Sequence, residues 1–180
     1  MDATMSRTVS KLLSLALRHE PSALGLAVDA GGWADVSELL DGLRAHGHDL
    51  AVADLRSIVT GSDKQRFAIS DDGIRIRANQ GHSIAVDLGL QPVIPPSVLF
   101  HGTGAQNVAS ILRIGLESRG RNHVHLSGDE DTARKVGMRH GKPVVLAIRA
   151  AQMHENGTVF YRSANGVWLV ESVPPEYISA

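Results

Sequence analysis

Apolar residues recur at helical spacing near the start of the chain. Val9, Leu12, Leu13, Ala16 and Leu17 share one stripe of a 3.6-residue wheel. The stripe predicts a helix over SRTVSKLLSLALRH, with Ser6 as its N-cap and Pro21 as its stop. On that wheel Arg18 points away from the stripe and His19 lies at its margin. A short apolar run, LGLAV, and a Gly31-Gly32 turn follow. Asp35 and Glu38 have the spacing of an N-cap and its reciprocal partner, and they open a second helix through SELLDGLRAHG. A third helix, AVADLRSIV, ends at Gly61.

The period then changes from helix to strand. RFAIS and IRIRA alternate around Asp71-Asp72-Gly73, the pattern of a β-hairpin. Alternation puts Phe67 and Ile69 on one face with Ile74 and Ile76, so Arg66, Arg75 and Arg77 share the other. Helices followed by such a hairpin suggest a winged helix. QPVIPPS, with three prolines in seven residues, is the expected linker. It divides the chain into 1–91 and 92–180. The second part restarts as another α+β unit: strand VLFHG, helix AQNVASILRIGL, strand HVHLS, helix DTARKVGMR, strand PVVLAIRA, and strands near TVFYR and VWLVES.

Composition narrows the function. The 180 residues carry 18 basic and 19 acidic side chains, a net charge of −1, so any attraction to nucleic acid must be local. The chain has no cysteine, which removes disulfides and thiolate metal sites and fits a reducing cytosol. Neither a signal-peptide core nor an apolar run of the ~20 residues that span a bilayer is present, so a cytoplasmic, monomeric protein without membrane contact is expected. Two tryptophans and two tyrosines are too few for a base-stacking surface.

Three stretches carry polar residues that folding does not require. Arg18-His19 reads most simply as a cationic helix C-terminus. The hairpin arginines form either a solvated face or a phosphate-binding one, since guanidinium matches phosphate oxygens. Asn79-Gln80-Gly81-His82-Ser83, just after them, is rich in hydrogen-bonding groups. His101-Gly102-Thr103 closes a strand. Its imidazole can bond a ribose hydroxyl, and its glycine lets a planar amide approach the backbone. In RNHVHLS, His123 and His125 face one side of a strand, but no carboxylate or thiolate stands beside them at ligand spacing, so a metal is not expected.

In order and spacing, LRHEP, IRANQGHS, FHGT and RNHVHLS resemble the KptA family of RNA 2′-phosphotransferases. The resemblance runs from Ser10 to about Ile178. It implies a winged-helix-like N-terminal lobe and an ADP-ribosyltransferase-like C-terminal lobe that holds NAD⁺, a consumed co-substrate. It implies as substrate an RNA bearing an internal 2′-phosphate, of the kind left at a splice junction. In the first step that phosphate attacks C1″ of the nicotinamide ribose and nicotinamide leaves, giving a 2′-phospho-ADP-ribosylated RNA. In the second, O2″ attacks the phosphorus. The products are 2′-hydroxyl RNA and ADP-ribose 1″,2″-cyclic phosphate.

The family's Arg-His-Arg-Arg quartet matches Arg18, His19, Arg66 and Arg121. His101, Gly102 and Thr103 match its NAD-binding start, with the Gly102 backbone at the nicotinamide amide and His101 at the adenosine ribose. His123 and Ser127 are the favoured further contacts, although which histidine faces NAD⁺ stays open. Arg77, Asn79, Gln80 and His82 are expected to touch RNA or to brace Arg66. Phe100 stands where many relatives place tyrosine. Glu171 comes late in GVWLVES, where protein-modifying ADP-ribosyltransferases bind O2″ with a glutamate, and its late position counts against protein modification. Two other readings compete: an ADP-ribosyltransferase that stops after step one on a nucleic-acid terminal phosphate, and a non-catalytic winged-helix binding module.

Overall fold

The computed structural model describes residues 3–180. The chain is α+β throughout. It divides into two compact units, one ending at Gly89 and one beginning at Leu90.

The first unit opens with α1, Ala3–Arg18. Val9, Leu13, Ala16 and Leu17 are fully buried, and Leu12 packs against them, so the stripe faces the core. Ser6 is not the N-cap. It lies inside the helix, because Ala3 and Met5 are good helix formers and extend it beyond the stripe. After a 3₁₀ turn at Pro21–Leu24 comes β1, Ala34–Asp35, too short for its own periodicity. Asp35 then caps α2, Val36–Ala45, by accepting from the Ser37 and Glu38 amides at 2.7 and 3.2 Å. In α3, Val52–Thr60, the Asp54 carboxylate accepts from the Ala51 amide at 3.0 Å.

The hairpin consists of β2, Phe67–Ile69, and β3, Arg75–Ala78, paired antiparallel with Ile69 opposite Ile76. β1 adds to the far edge of β3, giving the order β1-β3-β2. Phe67, Ile76 and Ala78 turn inward beneath α1. Ile74 does not join them. It is 57% exposed, because β3 starts only at Arg75 and alternation does not reach back into the turn. The arginines also part company. Arg75 and Arg77 lie over the Trp33 ring, at 5.4 and 4.5 Å from its centroid, while Arg66, one residue before β2, lines a cleft beside α1.

In the second unit β4, Leu99–Gly104, leads through α4, Val108–Ile114, to a two-residue strand β5, Leu116–Glu117. Next come β6, Val124–Leu126, and α5, Glu130–Gly137, capped by Asp129. β7, Pro143–Ile148, is followed by a short helix α6, Ala150–Glu155, that the sequence pattern does not announce. Its six residues are too few to establish a period. The remaining strands are β8, Tyr161–Arg162, β9, Trp168–Val170, β10, Ser172–Val173, and β11, Ile178–Ser179. They form sheets ordered β11-β7-β4 and β6-β9-β8, with β5 and β10 paired separately.

Phe100 and Ser127 join the two larger sheets by exchanging backbone hydrogen bonds at 2.9 and 2.7 Å. Leu99, Leu146, Ile148, Met153 and Phe160 fill the core. The proline-rich stretch is tied to this unit, where the Val93 amide donates to the Phe160 carbonyl at 2.8 Å. Among the described residues no helix is long and apolar enough to cross a membrane.

Candidate functional site

The last turn of α1 leaves carbonyls without helical partners. The Asn79–Ser83 segment supplies what is missing. Ser83 donates its amide to the Arg18 carbonyl at 2.9 Å, and Ile84 adds a longer bond of 3.4 Å. The same segment fixes the two side chains that end the helix. Arg18 donates from Nη2 to Gln80 Oε1 at 3.2 Å, and its guanidinium lies 5.8 Å from the Phe67 ring centroid. His19 Nδ1 is 2.8 Å from Ser83 Oγ. LRHEP and NQGHS, far apart in the chain, are thus one cluster. Arg18 is not a bare helix end but half-buried on an aromatic ring.

Behind this pair Asn79 and Arg77 tie down neighbouring backbone. Asn79, 7% exposed, clamps the approach to β2. Its amide donates to the Arg66 carbonyl at 2.9 Å, and Nδ2 donates to the Gln65 carbonyl at 2.5 Å. Gln65 has φ +39°, a conformation that such a clamp must hold. Arg77, stacked on Trp33, also donates from Nη1 to the Gly31 carbonyl at 3.3 Å.

His82 is 3% exposed. Burial first, then the charges of Arg18, Arg77 and His19, push its pKa down to about 4. A neutral imidazole therefore sits among cations at pH 7. This gives a pH prediction. The unfolded chain takes up the His82 proton near 6.5 and the folded chain only near 4. Between those values the unfolded state holds more protons. Stability should be full above pH 6.5 and fall as the pH drops towards 4, by on the order of 3 kcal/mol from this group. Denaturation of wild type and His82→Gln across the window checks it. Equal pH slopes in the two proteins would exclude His82 as the group.

The second cluster lies on β4 and β6. Val124 and Leu126 are buried, so His123, His125 and Ser127 share the other face of β6. Arg121, just before the strand, donates from Nη1 to His125 Nδ1 at 3.4 Å. The His125 carbonyl is 3.2 Å from His101 Nδ1, so the two strands are linked through that imidazole. Burial, opposed by this hydrogen bond, lowers the His101 pKa. Burial also lowers that of His123, against the pull of Glu171. Glu171 directly follows β9, whose Val170 pairs with Val124, the neighbour of His123. His123 also meets Tyr161 edge to face, with centroids 5.8 Å apart. Thr103 is buried and accepts from Asn107 Nδ2 at 3.3 Å. The sequence pattern left open whether His123 or His125 faces a ligand, and it assigned no role to Ser83 or Trp33. Ser83 stood inside a quoted motif, but nothing local marks its partner.

Gly102 serves the fold in a way the sequence does not reveal. A Cβ there would run into the Ala133 carbonyl and the Gly137 amide of α5. The missing side chain is therefore what lets α5 pack on β4. The peptide groups of Gly102 point along the other axis. Phe100 directs its N–H and C=O to Ser127, and Gly102, two residues on, presents its own to the same edge, away from β7. Gly102→Ala should cost about 3 kcal/mol, the upper range for overpacking, because the obstacle is backbone. Thermal melting checks this, and near wild-type stability would mean that β4 and α5 can separate at small cost.

Each unit of this α+β protein thus carries arginine and histidine side chains hydrogen-bonded to neighbouring groups. Comparison with known proteins gives the family. A family model described as "RNA 2'-phosphotransferase, Tpt1 / KptA family" matches residues 4–172. A probable RNA 2′-phosphotransferase of Trichormus variabilis is 50% identical over 178 residues, covering 99% of this chain and 98% of the relative. Those of Acaryochloris marina and Agrobacterium fabrum are each 53% identical, covering 95% and 97% of this chain and 94% of each relative. The chain belongs to the Tpt1/KptA family.

Proposed function

We propose that this protein is an NAD-dependent RNA 2′-phosphotransferase that removes an internal 2′-phosphate in two steps. The observation that carries the reading is the joining of Arg18 and His19 to Gln80 and Ser83 in one fixed cluster. A phosphate dianion needs cations already in place, because reorganising them during reaction would consume the gain. Arg18, Arg66 and Arg121 supply this charge in the proposed quartet, and His19 supplies proton transfer. The first unit, three helices and a small hairpin sheet, is read as the winged-helix-like lobe. The second is read as the ADP-ribosyltransferase-like lobe.

Residues of the second unit suit the co-substrate. The outward N–H and C=O of Gly102 form a donor–acceptor pair for a carboxamide. A His101 imidazole kept neutral by burial can bond a ribose hydroxyl without adding charge. Thr103, His123 and Ser127 complete the proposed contacts. NAD⁺ brings a glycosidic bond already activated for departure of nicotinamide. In the first step a phosphate oxygen forms the bond to C1″ as the C–N bond breaks and its electron pair leaves with nicotinamide. In the second, O2″ gives up its proton and bonds phosphorus, while the P–O2′ bond breaks and O2′ takes a proton. The enzyme is expected to act as a cytoplasmic monomer.

Incubation with NAD⁺ and a short 2′-phosphorylated RNA tests the reading. Nicotinamide, 2′-hydroxyl RNA and ADP-ribose 1″,2″-cyclic phosphate are expected in equal amounts. Nicotinamide release with ADP-ribosylated RNA as the final product would instead identify a transferase that stops after step one. Absence of any NAD-dependent change in the RNA would leave a binding module.

A further inference from the structure

The first unit holds a cleft of about 490 Å³ that the proposed chemistry touches only through Arg66. α1 contributes Arg7 and Ser10 to it, and the segment after α3 contributes Ser62, Lys64 and Arg66. Asp63 is the single acid among the described lining residues, against three cations. Asn79 holds the backbone at Gln65 and Arg66, beside this lining. No aromatic ring lines the cleft among the described residues, so it offers no aromatic platform for a base. Hydroxyls and cations together match the oxygens of a phosphodiester and its ribose. The overall charge of −1 supplies no general attraction, so a strand must be gripped at local points of this kind.

We infer that this cleft binds the RNA phosphodiester adjacent to the reacting 2′-phosphate. The inference rests on the phosphotransferase reading above. Arg66 is shared: it lines the cleft and belongs to the proposed quartet. The strand would therefore be held on both sides of one arginine, and register on the substrate would follow from backbone spacing rather than base identity. Arg7 and Lys64 are exposed, so removing them leaves the core untouched.

The test compares wild type with Arg7→Ala, Lys64→Ala and the double variant on a hexaribonucleotide carrying one 2′-phosphate. The double variant should lower kcat/KM about tenfold at low salt, mainly through KM. Its log–log salt dependence should be shallower by up to about 0.7, the single-strand value for one phosphate contact, with each single variant between it and wild type. A methylphosphonate at the flanking linkage should weaken wild type similarly and weaken the double variant, which keeps only Arg66 in the cleft, clearly less. Unchanged salt slopes would overturn the inference. If inorganic phosphate raises the wild-type melting temperature while the methylphosphonate has no effect, the cleft takes free anions and the RNA assignment fails. If wild type turns over no 2′-phosphorylated RNA, the phosphotransferase reading fails instead. Equilibrium binding of an unmodified hexanucleotide then decides the cleft: a shallower slope in the double variant supports it, and equal slopes refute it.

Discussion

Arg121→Ala is expected to lower turnover by 10²-fold or more while the melting temperature stays within a degree or two. The residue is exposed, and its backbone tie, the Arg121 amide donating to the Ser118 carbonyl at 3.2 Å, survives the substitution. What disappears is a fixed cation. Its Nη1 is held at 3.4 Å from His125 Nδ1, which aims the guanidinium before substrate arrives. Loss of one preorganised donor to developing negative charge costs about 10²–10³ in rate in other enzymes. Arg121→Lys should recover only part of this, since an ammonium is a point charge without the planar fork. Single-turnover rates on 2′-phosphorylated RNA, with melting curves as control, give the answer. Turnover near wild type in Arg121→Ala would remove this residue from the quartet.

His19→Ala is expected to slow the second step more than the first. In the proposed first step the 2′-phosphate attacks already charged, and nicotinamide leaves without a proton. Neither event calls for acid or base. In the proposed mechanism the second step must take a proton from O2″ and give one to O2′, work suited to an imidazole, which can serve as base and then as acid. His19 directly follows Arg18, the last residue of α1, and in the proposal the two side chains reach one phosphate from different directions. Ser83 Oγ, 2.8 Å from Nδ1, orients the ring. The 2′-phospho-ADP-ribosylated RNA should therefore accumulate in His19→Ala and run as a slower band in a single-turnover time course. Ser83→Ala should show the same band more weakly, because the imidazole is present but less well placed. A slow His19→Ala reaction with no such band at any time would assign His19 to the first step or to binding.

Helices and strands were legible where period or capping chemistry is local. The α1 stripe, the Asp35 cap of α2 and the β2–β3 turn all rest on residues within a few positions of each other. Elements too short for a period, β1 and α6, were not. The start of α1 was misplaced because apolar spacing marks the buried face, not the helix end. The family motifs were legible as residue strings, but their geometry was not. Nothing in LRHEP says that Arg18 will meet Gln80, 62 residues on, or that His19 will meet Ser83, 64 residues on.

The sequence alone determined the α+β class, the helices with clear stripes, the hairpin and the list of chemically able side chains. Local spacing and propensity carry that information, since each depends on neighbours along the chain. Only the tertiary structure decided which of those side chains meet. It separated Arg66 from Arg75 and Arg77, buried His82 among cations, paired Arg121 with His125, and used the bare face of Gly102 to seat α5. Such contacts form between residues distant in the chain, where burial and close packing choose the partners and no periodicity records the choice.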